Sequence, residues 1–332
     1  MKQVKFITGL MAFGVVSLFA GCGEKENEMT KVTLNEVAHS IFYAPQYVAL
    51  ENGYFTQEGL DLDLVSVYGA RMKMAVVVSG EAQIGFMGAE ASVYAYLEGA
   101  NDPVINFAQG TQRAGNFLVA REEMADFQWS DLKGKEVLGG RKGGMPEMVF
   151  EYILKENGLD PAKDLSIDQS IDFGSTAAAF SGGKGEFTVE FEPAATTLEK
   201  NGDGFVVASL GVDSGYVPYT SYSAKTSYVE KHPEIIQAFT DGLQKGVDYV
   251  NSHTAEEIAK VIQPQFKEND LDTITRIVER YQSQDTWKEN LVFEKESFEL
   301  LQDILESAGE LEKRADYEKL VTTIYAKEAM KK

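Results

Sequence analysis

The sequence predicts an α/β protein of two similar lobes that carries a helical C-terminal segment. Three observations predict it. A chain of 332 residues is longer than one compact core ordinarily needs. Between residues 31 and 209 strand-like runs alternate with helix-like ones, and the alternation starts afresh near Arg121. From Ser221 onward only helical spacing remains.

The chain opens with a short basic start, Met1-Lys2-Gln3-Val4-Lys5, and an apolar run over residues 6–20. A run this short with lysines before it and small residues after it reads as a secretory signal and not as a spanning helix. It ends Leu18-Phe19-Ala20-Gly21-Cys22, and the small pair before the cysteine resembles the bacterial lipobox, with Phe19 where that pattern usually has leucine. Residues 1–21 are therefore expected to be removed and Cys22 to be lipidated. The alternative is a signal anchor with an incidental cysteine. Residues 22–30 are polar and apolar-poor, as a flexible tether is.

Residues 31–37 form the first predicted strand. The corner that follows places Phe42 and Tyr43 just before Pro45, which opens a helix closed by Gly53. Leu60, Leu62 and Leu64 alternate with acidic residues, the period-two pattern of a strand with one buried face. A turn at 68–70 leads to a helix over 72–79 ended by Gly80, then a strand over 83–86, and a helix over 89–97 ended by Gly99. Strands at 103–108 and 116–120 follow. In the second set, a strand at 136–138 enters Gly139-Gly140-Arg141-Lys142-Gly143-Gly144, a loop before a helix over 146–156 with Pro146 in its first turn. Strands at 166–169, 187–191 and 205–209 alternate with helices at 175–180 and 193–200. In the tail, Ile235, Ile236, Phe239, Leu243, Val247 and Val250 mark a long amphipathic helix, Thr254 can cap another, and helices at 271–281 and 294–305 follow. Such a tail cannot stand alone and is expected to pack on the first lobe.

Composition narrows the function. Hydrophobic content of 44% with 25% charged residues is ordinary for a globular protein. The 31 basic residues against 52 acidic ones give a net charge of -21, which argues against a nucleic-acid binder. Any bound anion must then be held by local donors. The single cysteine rules out an internal disulfide and a cysteine-based zinc cluster.

The residues Phe42-Tyr43-Ala44-Pro45-Gln46-Tyr47-Val48-Ala49, Gly53-Tyr54-Phe55 with Glu58-Gly59-Leu60, and Ser79-Gly80-Glu81-Ala82-Gln83-Ile84-Gly85 resemble, in this order, a known family. It is that of ABC-importer substrate-binding proteins with the type II periplasmic-binding fold, in the branch for sulfonates, taurine, nitrate and thiamine-pyrimidine compounds. Leu132-Lys133-Gly134-Lys135 and residues 139–146 add the second lobe; Gln83 departs from the Asp that many relatives carry. The resemblance implies a ligand cleft between lobes, one built from 31–118 plus 221–332 and the other from 119–220. It puts the crossings near 116–121 and 218–223. It also implies a monomer held by its lipid on the outer face of the cell membrane, partnered by a permease and an ATPase, with no cofactor and no chemistry of its own.

Candidate ligand contacts follow from the corners. Gly140, Gly143 and Gly144 can expose backbone N–H groups at a helix start, with Arg141 adding charge, or form a plain turn. The loop lacks the Gly-Lys-Ser/Thr ending of a nucleotide loop. Gly88 and Ala89 occupy the matching corner of the first lobe, where a glycine admits a ligand close to the backbone. Phe42 and Tyr43 can stack on a flat ring or pack in the core. His39 can donate to a ligand or cap the helix. Arg113 can pair with a carboxylate or sulfonate or make a surface ion pair. Glu192 can accept from an amine or cap the helix after it, and Tyr219 flanks the return crossing. Aromatic and amide residues outnumber basic ones at these corners, which favours a heterocycle over a sulfonate. Two other functions compete. A thiamine-pyrimidine-synthase-like enzyme shares the fold, but its family carries a cysteine-rich iron-binding run that this chain lacks. A ligand sensor has the same sequence signature as a transporter component.

Overall fold

The computed structural model describes residues 29–66, 70–140 and 142–332. Cys22 and the signal-like start, Tyr68 and Gly69 of the expected turn, and Arg141 lie outside the described residues. In chain order the strands are β1 (Thr30–Glu36), β2 (Leu60–Ser66), β3 (Ile84–Gly88), β4 (Val104–Thr111), β5 (Asn116–Ala120), β6 (Glu136–Leu138), β7 (Ser166–Asp168), β8 (Phe187–Phe191), β9 (Phe205–Ser209) and β10 (Thr220–Lys225). They form two five-stranded sheets of one topology, β2-β1-β3-β10-β4 and β7-β6-β8-β5-β9. In each sheet a central strand runs antiparallel to its neighbours: β10 against β3 and β4, β5 against β8 and β9. The repeated strand–helix alphabet is thus a repeated sheet.

The two antiparallel strands are where the chain changes sheets. β5 belongs wholly to the second sheet, so the first crossing falls in residues 112–115, a few residues before the expected position. The sequence signal for β5 is that of any apolar strand, and it does not say which sheet receives it. The return runs through α8 (below) to β10, whose first residue, Thr220, pairs with Gly88 and Thr111, the last residues of β3 and β4. Asn116 likewise pairs with Phe191, the last residue of β8. Both crossings therefore join the carboxyl ends of the parallel strands, the edge at which open α/β sheets bind ligands.

Helices α1 (Ala44–Glu51), α2 (Tyr54–Gln57), α3 (Ala70–Ser79) and α4 (Glu90–Leu97) accompany the first sheet, and α5 (Met145–Glu156), α6 (Phe173–Ser181), α7 (Ala194–Asn201) and α8 (Leu210–Asp213) the second. Gly53 ends α1 in the left-handed conformation that glycine adopts at least cost (φ 67°). On β2 the leucines turn inward, and Asp61 and Asp63 stay in water, which guards the open edge of that sheet.

The tail comprises α9 (Thr226–Lys231), α10 (Pro233–Ser252), α11 (Ala255–Ile262), α12 (Leu271–Ser283), α13 (Lys295–Ser307), α14 (Tyr317–Leu320) and α15 (Ile324–Ala329). Thr254 and Glu257 form a capping box at α11, and Asp270 accepts from Thr273 N at α12. α10 buries Ile236, Phe239, Leu243, Val247 and Val250 against the first lobe, where Gly242 and Gly246 let Phe55 and Pro45 approach its backbone. The tail also reaches the second lobe. Lys155 of α5 donates to Ser307 O at the end of α13 (2.6 Å), and Arg280 of α12 pairs with Glu192 and Glu199. Long amphipathic helices wide enough to cover one sheet have a second edge free for the other.

Candidate ligand cleft

Each lobe has a corner where a strand gives way to a helix, and the two helices touch through Tyr94 and Met148. In the first lobe β3 ends at Gly88, Ala89 is the N-cap of α4, and Glu90 stands in its first turn. A Cβ at Gly88 would collide with the Glu90 carboxylate, so the glycine makes room for that group. In the second lobe Gly144 is the N-cap of α5, and Gly140 and Gly143 take positive φ (69° and 87°) in the loop before it. The Glu147 carboxylate folds back on this loop, accepting from Gly143 N at 3.1 Å and from Gln169 Nε2 at 2.8 Å. Burial, reinforced by Glu151, pushes Glu147 up to about 7, although the Gly143 N–H and the charge of Lys142 oppose the shift. The Tyr94 hydroxyl of α4 lies 3.8 Å from Met148 Sδ of α5, joining the two helix starts.

An aromatic cluster fills the space beside them. Phe42 contacts Tyr43, Tyr219 and Tyr281 with ring centroids 5.3, 5.8 and 5.1 Å apart. Tyr43 meets Phe86 edge-on at 4.5 Å. Phe42 is pinned from behind, because Trp287 Nε1 donates to its carbonyl (2.9 Å) and Gly115 leaves no gap for a side chain against its ring. Tyr281 closes the cluster by donating to Gly115 O at 3.0 Å. A cavity of only about 10 Å³, room for one water, remains under Tyr43 and Phe86.

Asn116 and Tyr219 are among the buried polar side chains that lack a hydrogen-bond partner among the described residues. Tyr219 is 5% exposed with an unbonded hydroxyl, and Asn116 is 0% exposed with neither Oδ1 nor Nδ2 bonded. Buried groups of this kind are rare, because each forfeits its hydrogen bonds to water. They occupy matching places: Asn116 opens β5, and Tyr219 immediately precedes β10. Burial holds the Tyr219 hydroxyl well above its ordinary pKa, with Tyr43, Glu90 and Tyr281 adding to the effect, so it stays a neutral donor.

Phe42, Tyr43 and Tyr219 meet in this cluster, Gly88 pairs with Thr220 and precedes Ala89 at the first-lobe corner, and Gly140, Gly143 and Gly144 lie in the second-lobe loop before α5. Three predicted contacts are engaged elsewhere. His39 bonds Glu36 Oε1 through Nδ1 (3.0 Å) and Gln265 O through Nε2 (2.8 Å), and packs on Tyr47 and Phe266. Arg113 donates through Nη1 to Gly211 O (3.1 Å) and lies over the Tyr216 ring (4.1 Å) at the return crossing, while its buried Nε makes no hydrogen bond among the described residues. Glu192 accepts from Thr196 N (2.9 Å) and Thr196 Oγ1 (3.0 Å) and pairs with Arg280 (2.5 Å). Asn116, Glu90 and Glu147 escaped the sequence reading. A lone Asn at a strand start and an acid in a first helical turn are ordinary.

Comparisons with known proteins bear on this geometry. A family profile described as NMT1/THI5 like matches residues 41–257. A protein of Bacillus subtilis (strain 168), YtlA, whose provisional name is that of a binding protein, is 45% identical over 302 residues; the match covers 91% of this chain and 90% of that one. Among solved structures, the ligand-binding component of an ABC-type import system from Staphylococcus aureus is 16% identical with a TM-score of 0.71, covering 91% of this chain and 99% of that one. The periplasmic aliphatic sulphonate-binding protein SsuA of Escherichia coli is 16% identical (TM-score 0.70; 88% and 97% covered). The periplasmic nitrate-binding protein NrtA of Synechocystis PCC 6803 is 15% identical (TM-score 0.68; 92% and 89% covered). At this identity the solved structures share the fold.

Proposed function

The chain belongs to the NMT1/THI5-like family, and we propose that it is the solute-binding component of an ABC importer, a receptor that captures a small organic ligand between its lobes and passes it to a permease. The observation that carries this reading is the pair of unpartnered buried groups, Asn116 and Tyr219, at the starts of the two crossing strands. A ligand seated there completes their hydrogen bonds and touches both lobes at once, so binding and lobe closure are one event. The names of YtlA and of the S. aureus import component support the same role. The signal-like start and Cys22 support a lipid anchor on the extracytoplasmic face, and no described helix is long and apolar enough to cross a membrane.

Among ligand classes, the cluster of Phe42, Tyr43, Phe86 and Tyr219 suits a flat ring, and the Nη1 of Arg113, the cation best placed for a sulfonate, is spent on Gly211 O. A pyrimidine-like heterocycle therefore fits better than an alkanesulfonate. Thermal-shift screening of pyrimidines, flavins, sulfonates and amino-acid-like compounds tests the reading. A true ligand at a hundredfold excess over Kd stabilises the fold by about 3 kcal/mol. Turnover of a compound without stabilisation by any of them would refute a receptor.

A further inference from the structure

The tail does more than cover the first lobe. Residues 270–287, which are α12 with its N-cap and the turn after it, tie the second lobe and both crossings to the aromatic cluster. On the second-lobe side the contacts are polar. Arg280 pairs with Glu192 at 2.5 Å and Glu199 at 2.6 Å, and Arg276 reaches Glu199 at 3.2 Å. In return, Lys200 of α7 donates to Thr273 Oγ1 at 2.6 Å and lies 3.6 and 3.3 Å from the carboxylates of Asp270 and Asp272. The other end of the segment grips both crossings. Tyr281 and Gln284 donate to Gly115 O and Ala114 O, each at 3.0 Å, and Gln112 Nε2 donates to Asp285 O at 3.0 Å. On the return side Ser209 Oγ donates to Gln284 Oε1 and the Tyr216 hydroxyl to Asp285 Oδ2, both at 2.7 Å. Asp285 takes the left-handed conformation (φ 59°) that is uncommon for a residue with a side chain, and these bonds hold it there.

The joint with the first lobe is apolar. Ile274, Ile277, Val278 and Tyr281 of α12 are buried in the core, and the helix packs on the turn Ile41–Tyr43. The Tyr281 and Phe42 ring centroids are 5.1 Å apart, and Trp287 donates to Phe42 O. The two joints differ in what separation costs. Parting apolar surfaces exposes them to water, whereas partly exposed ion pairs exchange their partners for water at little cost. Even Glu192, the buried member, keeps its bonds from Thr196 when Arg280 leaves. The cavity of about 10 Å³ beneath Tyr43 and Phe86 has room for a water and not for a ring. A ring-sized ligand at the aromatic cluster therefore needs the lobes to part. We propose, resting on the receptor reading above, that residues 270–287 are a strap that stays with the first lobe and holds the lobes shut through the charged α12–α7 joint, which opens to admit ligand and re-forms behind it.

The interlobe distance tests this without a ligand. Spin labels at two exposed positions, Glu98→Cys after α4 and Glu156→Cys at the end of α5, are placed in the mature chain carrying Cys22→Ser and read by double electron–electron resonance. Glu199→Gln and Lys200→Met, singly and together, cut the strap's anchors on α7 and leave its packing on the first lobe. Glutamine keeps an acceptor for Val206 N, and Lys200 is exposed. Circular dichroism checks the fold, and Lys200→Met alone carries the test if the pair does not fold. The wild type is expected to show a main shorter distance and a minor longer one. The ratio of longer to shorter should rise about 5–30-fold in the double variant, the worth of one or two such ion pairs. Raising NaCl from about 0.1 M to about 1 M shortens the screening length from about 10 Å to about 3 Å, which should raise the ratio in the wild type and less in the double variant. A ratio unchanged by the substitutions, or insensitive to salt in the wild type, overturns the strap. So does a wild type that already populates mainly the longer distance. Each of these results leaves the receptor reading standing if the thermal-shift screen finds a ligand, and a screen without one refutes that reading whatever the distances are.

Discussion

Replacing Arg280 with alanine is expected to cost about 3 kcal/mol of stability. Arg280 joins the tail to the second lobe, donating to Glu192 Oε1 at 2.5 Å and to Glu199 Oε2 at 2.6 Å, with its guanidinium 5.2 Å from the Phe117 ring centroid. Burial works against its charge, but Glu192 and Glu199 more than offset this, and its pKa is raised. The Glu192 side chain has no exposed surface. Removing one partner of a buried pair costs about 3–5 kcal/mol, because the other charge is left in a poor solvent. Glu192 keeps its two bonds from Thr196, which lowers that figure, while the lost packing of the arginine stem on Phe117 raises it. Urea denaturation followed through the fluorescence of Trp129 and Trp287 measures the change. A loss of about 3 kcal/mol lowers Tm by about 4–5 °C in a chain of this size. Arg280→Met combined with Glu192→Gln removes both charges and should recover most of the loss. A loss below about 1 kcal/mol in Arg280→Ala would show that the ion pair does not hold the tail to the second lobe.

Further outcomes follow from other contacts. The hydrogen bond to Glu36 raises His39 above its ordinary 6.5, against the effect of its partial burial. Its folded pKa is the higher one, so its stabilisation is complete below pH 6.5 and is lost as pH rises through the folded value. The Tm of the wild type should therefore fall over that window, and His39→Gln should flatten the fall. Glu147 acts with the same sign, since its folded value of about 7 exceeds the ordinary 4.5. An unscreened shift of that size is worth about 3 kcal/mol, and solvent screening reduces it to about 1–2 kcal/mol, lost between pH 4.5 and about pH 8; Glu147→Gln should remove that component of the Tm profile. Gly115→Ala places a methyl 2.7–2.8 Å from ring atoms of Phe42, so urea denaturation should show a loss of about 1–3 kcal/mol. Labelling with radioactive palmitate in a bacterial host should mark the wild type and spare Cys22→Ala; equal labelling of both would exclude the lipid anchor at that residue.

Much of the fold is legible because each strand and helix announces itself locally. Leu60, Leu62 and Leu64 on β2, and the spacing from Ile236 to Val250 on α10, report the face that is buried. β10 is less legible. Its residues Thr-Ser-Tyr-Ser-Ala-Lys carry little hydrophobic alternation although they are buried, because their polar side chains are paired inside the fold: Thr220 with Thr111, Ser221 with Asn106 and Tyr222 with Gln46. Site residues divide along the same line. Phe42 and Tyr43 stand out as aromatics at a strand-to-helix corner. Arg113 and Glu192 attract attention for their charge, yet their partners, Gly211 and Arg280, lie 98 and 88 residues away, beyond any local pattern. Asn116 has no local signature at all; only its burial without a partner singles it out. Long-range pairing decides which polar residues are spent on the fold and which remain for a ligand.

The most direct test is a crystal structure of the protein with a ligand that stabilises it in the thermal screen. The account predicts that ligand between the sheets, within hydrogen-bond distance of Asn116 and the Tyr219 hydroxyl and in contact with Phe42 or Tyr43. A ligand bound at any other place, with Asn116 and Tyr219 still unpartnered, would contradict it.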